Sequence, residues 1–316
     1  MHQTQKNDYS RIFWYIPKVF WYIPIFCILI WYCIRYRSSP AILTNINPSF
    51  LHWWLFCAKS EILKKFQKNS EAYKEFFAKT ARIKKNQTIQ ERMIIVQEFL
   101  SNNHIKYPLI IKPDRGLAGI GVSLIKDQKQ MLEYMHTIHD DYLIQEYIDW
   151  PKELSVFYIK DPEDKKGKIW SITERKITAK DKKTPAMIMP WNKVVNKDES
   201  YLINPIVEKT FNVISDIEGF YFWRYDIRVK DRDDFIENGK DFKILEVNLG
   251  AQTMAVQAYD RKYNIFQKYA IFAKQLKFAF QIAKENLDKH PEQRKHTTSK
   301  PIKDFLYTYM HILRKF

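Results

Sequence analysis

The sequence predicts an α+β protein built on antiparallel sheet. Three observations carry that expectation. Apolar runs of strand length follow one another through turns and do not alternate strictly with helices. Separate stretches with helical spacing of apolar residues flank those runs. Three of the chain's seven glycines sit between two strand-like runs with no helix after them, which excludes the strand–glycine–helix fingerprint of a dinucleotide-binding fold.

The elements follow in order. Residues 11–37, "RIFWYIPKVFWYIPIFCILIWYCIRYR", repeat FWYIP and carry no charge from Val19 to Ile34. A helix over that uncharged run, at about 1.5 Å per residue, falls short of a ~30 Å hydrocarbon core, and Pro24 interrupts it. Bulky aromatics and the lack of a small-residue cleavage site argue against a secretory signal. Trp and Tyr favour the membrane–water interface. Three readings stay open: an interfacial or re-entrant membrane segment, a single span, and a buried core hairpin.

Residues 58–79 read as helical, with Leu63, Phe66, Tyr73, Phe76 and Phe77 on apolar faces, and 88–102 as a second amphipathic helix. "YPLIIK" (107–112) and "GVSLI" (121–125) are strands flanking the glycine loop. A helix at 127–138 and a strand at 142–148 come next. Strands cover roughly 153–160 and 168–178, split by "DPEDKKGK", and a helix spans 204–215. "YFWRYDIRVK" (221–230) and "FKILEVN" (242–248) are strands joined by a polar connection. Helical stretches at 262–288 and 302–315 are separated by the linker "KHPEQRKHTTSK".

Composition narrows the partners. With 52 Lys and Arg against 36 Asp and Glu, the net charge of +16 favours an anionic partner: a nucleotide, nucleic acid or an acidic membrane surface. The basic residues are dispersed and no arginine-rich tail occurs, so nucleic acid is not expected. Cys27, Cys33 and Cys57 match no zinc spacing or disulfide framework and read as buried thiols in a reducing compartment.

Three stretches carry chemistry. "KPDRGLAGIGV" (112–122) places Gly116, Gly119 and Gly121 after Lys112. Glycine lets backbone N–H groups approach a ligand closely and adopt positive φ, so the loop reads either as a flap over phosphates or as a tight turn. "RYDIRV" puts Arg224, Asp226 and Arg228 on one strand face and Tyr225, Ile227 and Val229 on the other. "ILEVN" likewise separates Glu246 and Asn248 from Leu245 and Val247. If these strands are neighbours, Asp226, Glu246 and Asn248 converge as hard oxygen ligands suited to Mg²⁺ with phosphate oxygens. Each alone could equally be a solvated or ion-paired strand face.

Taken in order, "AKSEIL", "IIKPDRGLAGIGV", "IQEYIDWPKELSV", "RYDIRV" and "LEVN" resemble the ATP-grasp superfamily over roughly residues 59–255. The pattern looks most like the D-alanine–D-alanine ligase-like branch of carboxylate–amine ligases. The resemblance implies ATP held with Mg²⁺ between two α+β subdomains. It implies Lys112 on the nucleotide phosphates under the glycine flap, and Lys59 as an earlier phosphate-side lysine. Glu146 and the backbone at Ile148 would meet the adenine, and Glu153 the ribose. Asp226, Glu246 and Asn248 would hold Mg²⁺. Arg224 would face the transferred phosphate and the tetrahedral intermediate. The implied division is an aromatic N-terminal segment over 1–58, an ATP-grasp domain over 59–290, and a linker with a C-terminal helix over 291–316.

The chain also departs from that branch. Trp223 stands before Arg224, where the peptide ligases have glycine, and "LGAQT" follows Asn248 in place of the usual "xxPG". In that branch the segment after the asparagine helps to bind substrate, so D-alanine is not implied. The segment before Lys59 is short for the branch's N-terminal domain, and "KDRDDFIENGKDF" is an insertion between the metal strands. "SITERKITAKDKKT" (171–184) is a substrate-side loop in this reading, with Arg175 and Lys176 near phosphate. The activity expected is ATP-dependent joining of a carboxylate to an amine through an acyl phosphate. The alternative is a phosphotransferase acting on a hydroxyl. The N-terminus adds the expectation of a cytoplasmic enzyme, peripheral at the inner face of the membrane, with a lipid or membrane-bound acceptor.

Overall fold

The structure is a computed structural model describing residues 18–50, 57–69, 71–116, 121–164, 166–177, 194–250 and 256–291. In chain order, α1 (Lys18–Arg35), α2 (Lys59–Asn69) and α3 (Ala72–Phe76) lead into a first subdomain. That subdomain comprises β1 (Thr80–Ile83), α4 (Ile89–Asn103), β2 (Leu109–Pro113), β3 (Ser123–Ile125), α5 (Gln128–Thr137) and β4 (Tyr142–Glu146). The second comprises β5 (Lys152–Ile159), β6 (Lys168–Ile177), β7 (Val194–Asp198), α6 (Pro205–Ile214), β8 (Phe222–Val229), α7 (Arg232–Asn238), β9 (Phe242–Leu249) and α8 (Ile265–Lys289).

Local chemistry sets the helix starts. Thr88 accepts from the Glu91 amide while the Glu91 carboxylate accepts from the Thr88 amide, a reciprocal cap that opens α4. Asn264 and Gln267 do the same for α8. Asn204 caps α6 just ahead of Pro205, whose fixed φ suits a first helical position.

The first subdomain is a four-stranded antiparallel sheet in the order β1-β4-β2-β3. Val96 and Phe99 of α4 and Met131 and Met135 of α5 close its core against Ile83, Leu109, Ile111 and Ile144. The second is a five-stranded sheet in the order β7-β6-β5-β8-β9, antiparallel throughout. One face packs Val156, Tyr158, Trp223, Tyr225, Ile227 and Val247 against Phe66 of α2, Phe211 of α6 and Phe235 of α7. One end of the other face is covered by α8, by residues 40–46 and by the inner side of α1. The remainder of that face turns toward the first subdomain.

Several expectations need correction. Residues 58–79 are not helical throughout. After α3 the chain extends, Phe77 bridges Ile244, and the Ala78 amide donates to the Ile244 carbonyl at 2.9 Å, which stitches the approach to β1 onto β9. The polar insertion contains α7, capped by Asp231 and ended by Gly239 at φ +63°, and its Phe235 is wholly buried. Leu245 does not share a face with Val247. The ladder shifts between Asp226 and Ile227, so Leu245 is an extra residue in β9, and Ile244 joins Val247 in the core instead.

Residues 18–35 form one helix rather than a core hairpin, and part of its surface is exposed. Among the described residues no helix is long and apolar enough to cross a membrane. Cys27 is exposed, not buried, while burial pushes the Cys57 thiol up to about 12. Residues 171–177 of the expected substrate-side loop are strand instead, part of β6, where Arg175 pairs with Glu153; its residues 178–184 and the expected helix at 302–315 lie outside the described residues.

Candidate active site

Strand pairing assembles a polar line across the second sheet. Glu246 of β9 lies opposite Asp226 of β8, Asp226 opposite Ser155 of β5, Ser155 opposite Thr173 of β6, and Thr173 opposite Asp198 of β7. Directly paired residues share a face, so this line sits on the side away from the aromatic core. Asn248 pairs with Arg224 one step along the same two strands.

Asp226 is the centre of the line. Its Oδ1 accepts from Ser155 Oγ at 2.7 Å and from Arg224 Nε at 2.9 Å. Its Oδ2 accepts from Arg224 Nη2 at 3.0 Å and from Asn248 Nδ2 at 2.9 Å. Burial pushes the carboxyl pKa up, but the Arg224 guanidinium, the charge of Arg175 and the Ser155 hydrogen bond together hold it below the ordinary carboxylate value. In this arrangement the guanidinium stands where a cation would meet Asp226.

Lys112 enters from the first subdomain. It is 2% exposed, and its Nζ donates to Gln145 Oε1 at 3.1 Å and to the Leu245 carbonyl at 3.0 Å. Gln145 Nε2 donates to the same carbonyl at 3.0 Å and to Thr80 Oγ1 at 2.9 Å. The extra residue of β9 thus turns a carbonyl toward both donors. Burial lowers the Lys112 pKa to about 8, with Glu246 pulling it back upward.

Lys59 opens α2 beside the glycine loop. Its Nζ donates to the Gly116 carbonyl at 3.3 Å and stands 3.5 Å from Glu246 Oε1. Asp114 holds this helix start in place: its two carboxylate oxygens accept from the Ser60 amide at 2.8 Å and from Ser60 Oγ at 2.7 Å. Gly121, at φ +73°, closes the far side of the loop, where a Cβ would lie 2.8 Å from Pro113 Cγ. Gly119 lies outside the described residues.

The other sequence-derived candidates lie along the edge between the sheets. Glu146 ends β4, and its carboxylate accepts from the Lys79 amide at 2.8 Å. Ile148 follows in the short connection to β5, half-buried. Glu153 begins β5, 4% exposed, between Arg175 Nη1 at 3.1 Å and Arg228 Nη2 at 3.3 Å. Burial pushes its carboxyl up against the pull of the two guanidinium groups.

The geometry therefore brings Lys59, Lys112, Gly116, Arg224, Asp226, Glu246 and Asn248 together, with Glu153 on the same sheet face. Sequence reasoning missed Asp114, Gln145 and Ser155. A signal existed for Asp114: Ala58 precedes α2 where a helix start wants Ser, Thr, Asp or Asn, so the cap had to come from elsewhere. The donor set fits Mg²⁺, which takes one or two carboxylates and completes its shell with phosphate oxygens. Among the described residues no group of three or more His, Cys, Asp or Glu could hold a metal ion alone. A separate cavity of about 460 Å³ lies between α8 and the β5–β6 turn, lined by Tyr36, Asp161, Lys166, Phe278 and Glu285 among others.

A RimK-like ATP-grasp domain matches residues 67–160. No curated protein sequence matches the chain. Among solved structures, D-alanine–D-alanine ligase from Bacillus anthracis, complexed with ATP, is 14% identical with a TM-score of 0.44, covering 72% of this chain and 66% of that one. VanG D-Ala:D-Ser ligase from Enterococcus faecalis is 15% identical with a TM-score of 0.46, covering 72% and 61%. Biotin carboxylase from Campylobacter jejuni is 14% identical with a TM-score of 0.46, covering 72% and 46%. The chain thus spans less than two thirds of the length of each of these three. The domain matched over residues 67–160 is of the superfamily read from the ordered motifs, ATP-grasp.

Proposed function

We propose that the protein is an ATP-dependent ligase that joins a carboxylate to an amine through an acyl phosphate. The observation that carries this reading is the meeting of Lys112 with the Leu245 carbonyl at 3.0 Å, which sets a lysine of one subdomain beside the Glu246 and Asp226 carboxylates of the other. In this reading the catalytic body spans 59–290, preceded by the aromatic segment 1–58 and followed by the linker and C-terminal helix over 291–316. Lys112 and Lys59 bind the nucleotide phosphates beneath the loop of Gly116, Gly119 and Gly121. Glu146 and the Ile148 backbone take the adenine, and Glu153 the ribose.

A carboxylate does not acylate an amine directly because its leaving group is oxide-like. Transfer of the γ-phosphoryl to a carboxylate oxygen breaks the bond to ADP and forms an acyl phosphate. Attack of the amine on the carbonyl carbon then expels inorganic phosphate, and the amine proton is lost. Asp226, Glu246 and Asn248 are the residues that would hold Mg²⁺, which when bound supplies charge neutralisation between the phosphates. Arg224, released from Asp226, faces the oxyanion and the departing phosphate. The loop excludes water that would hydrolyse the acyl phosphate. ATP supply assigns the site to the cytoplasm, and the exposed apolar surface of α1 supports a lipid or membrane-bound acceptor.

Mass spectrometry of lipid and soluble extracts from cells with and without the protein identifies the acceptor. The purified enzyme is then given that substrate with an ¹⁸O-labelled carboxylate. Ligation predicts ¹⁸O in the released inorganic phosphate, and only when the amine is present. Phosphate retained on an acceptor hydroxyl, with no label released, would make the protein a phosphotransferase instead.

A further inference from the structure

α1 has two apolar faces, and only one is covered. On the inner face, Tyr32 donates from its hydroxyl to the Ala273 carbonyl at 3.0 Å, and Tyr36, just past the helix end, stacks on Phe280 with ring centroids 5.7 Å apart. Leu29 and Cys33 pack into the same cluster. On the outer face, Ile23, Phe26, Ile30, Trp31 and Ile34 are 47% to 68% exposed, and Cys27 beside them is exposed. At 3.6 residues per turn these positions form one stripe, an arc of roughly 140°. No other helix among the described residues carries more than two large exposed apolar side chains. A continuous apolar stripe on a surface marks a binding face rather than ordinary surface chemistry.

Charge identifies what fits it. From Tyr9 to Ser60 the sequence holds no Asp or Glu, while Arg11, Lys18, Arg35, Arg37 and Lys59 are basic. Arg35 and Arg37 are exposed at the end of the stripe. Basic residues at the rim of an apolar face with an exposed Trp match an anionic lipid surface, where the headgroups meet the cations and the aromatic ring sits at the boundary. The inner face is committed to α8, so the helix cannot be surrounded by lipid. Its length of about 27 Å at 1.5 Å per residue lies along the protein rather than away from it.

We propose that the outer face of α1 docks the protein onto an anionic bilayer, with the helix in the interfacial plane and its inner face retained on the ATP-grasp body. The docking does not depend on the chemistry at the nucleotide site, and its test is run without nucleotide. Full-length protein is sedimented with vesicles of phosphatidylcholine alone and of phosphatidylcholine mixed with phosphatidylglycerol. Wild type should bind the mixed vesicles and should bind the neutral ones far less. The combined variant Phe26→Gln, Ile30→Gln, Trp31→Gln should lose at least about a hundredfold in affinity, because three large apolar side chains no longer enter the bilayer. Arg35→Gln with Arg37→Asn, which leaves the apolar stripe intact and guards against misfolding of the first variant, should lose roughly tenfold to thirtyfold. Wild type that ignores both vesicles, or binding that survives the apolar substitutions, would overturn the proposal. So would a dimer abolished by the apolar substitutions in a protein that does not bind lipid, since the stripe would then be covered by a second copy.

Discussion

Lys112 Nζ donates to the main-chain carbonyl of Leu245 at 3.0 Å, linking β2 of one sheet to the extra residue of β9 in the other. Because the lysine is buried, its charge is expensive to hold without a partner, and an approaching phosphate would relieve that cost. Lys112→Ala is therefore expected to weaken binding of a non-hydrolysable ATP analogue by roughly tenfold to a hundredfold, the range of one lost charge-assisted contact. Calorimetric titration of both proteins checks this. Equal affinities would remove Lys112 from the phosphate site.

The same lysine gives a pH signature. Its pKa in the folded protein is about 8, below the 10.5 of an ordinary lysine. Between those values the unfolded chain binds more protons, so this group adds stability as pH rises from about 8 toward 10.5, and opposes folding below that window. Lys112→Met should flatten this component of the pH–stability curve. Phosphate contact should raise the pKa again, so ATP binding above about pH 8 should take up a proton and weaken as pH increases. Calorimetry in buffers of different ionisation enthalpy measures that uptake.

Glu153 sits buried between Arg175 and Arg228, so removing its charge leaves two guanidinium groups without their shared partner. Glu153→Gln should cost about 3 kcal/mol of stability, typical of breaking a buried ion pair from one side. Denaturant unfolding measures the loss. A change below about 0.5 kcal/mol, the scale of ordinary surface substitutions, would mean that the pairing contributes nothing.

Gly121 combines φ +73° with a Cβ position 2.8 Å from Pro113 Cγ. Gly121→Ala is expected to destabilise the protein by roughly 1–2 kcal/mol from the left-handed backbone alone, with the contact adding to it. A thermal midpoint equal to wild type would show that the loop closes in another conformation.

Much of this site is legible in the sequence because strands alternate their side chains. That period puts Arg224 and Asp226 opposite Tyr225 and Ile227, as the core confirms. The same period misassigns Leu245, because hydrophobicity does not encode a bulge and Ile244 is as apolar as its neighbour. Gln145 and Ser155 are invisible for a different reason. Their partners Lys112 and Asp226 lie 33 and 71 residues away in sequence, so only the folded chain reveals them. β7 was missed because "VVNKD" is short and largely polar. α1 stayed ambiguous because core and membrane interface favour the same aromatic residues, and only exposure separates its two faces.

In the proposed mechanism the polar line through Asp226 and Glu246 receives Mg²⁺ with ATP. The most direct test is equilibrium binding of a non-hydrolysable ATP analogue, with and without Mg²⁺, to wild type, Asp226→Asn and Glu246→Gln. Circular dichroism confirms that each protein is folded. Each substitution removes a carboxylate charge with almost no change of volume. Wild type should bind one equivalent and bind it more tightly with Mg²⁺, while both variants should lose most of that Mg²⁺ dependence. Mg²⁺-dependent binding that persists unchanged in both folded variants, or a wild type that does not bind the analogue, would contradict the account.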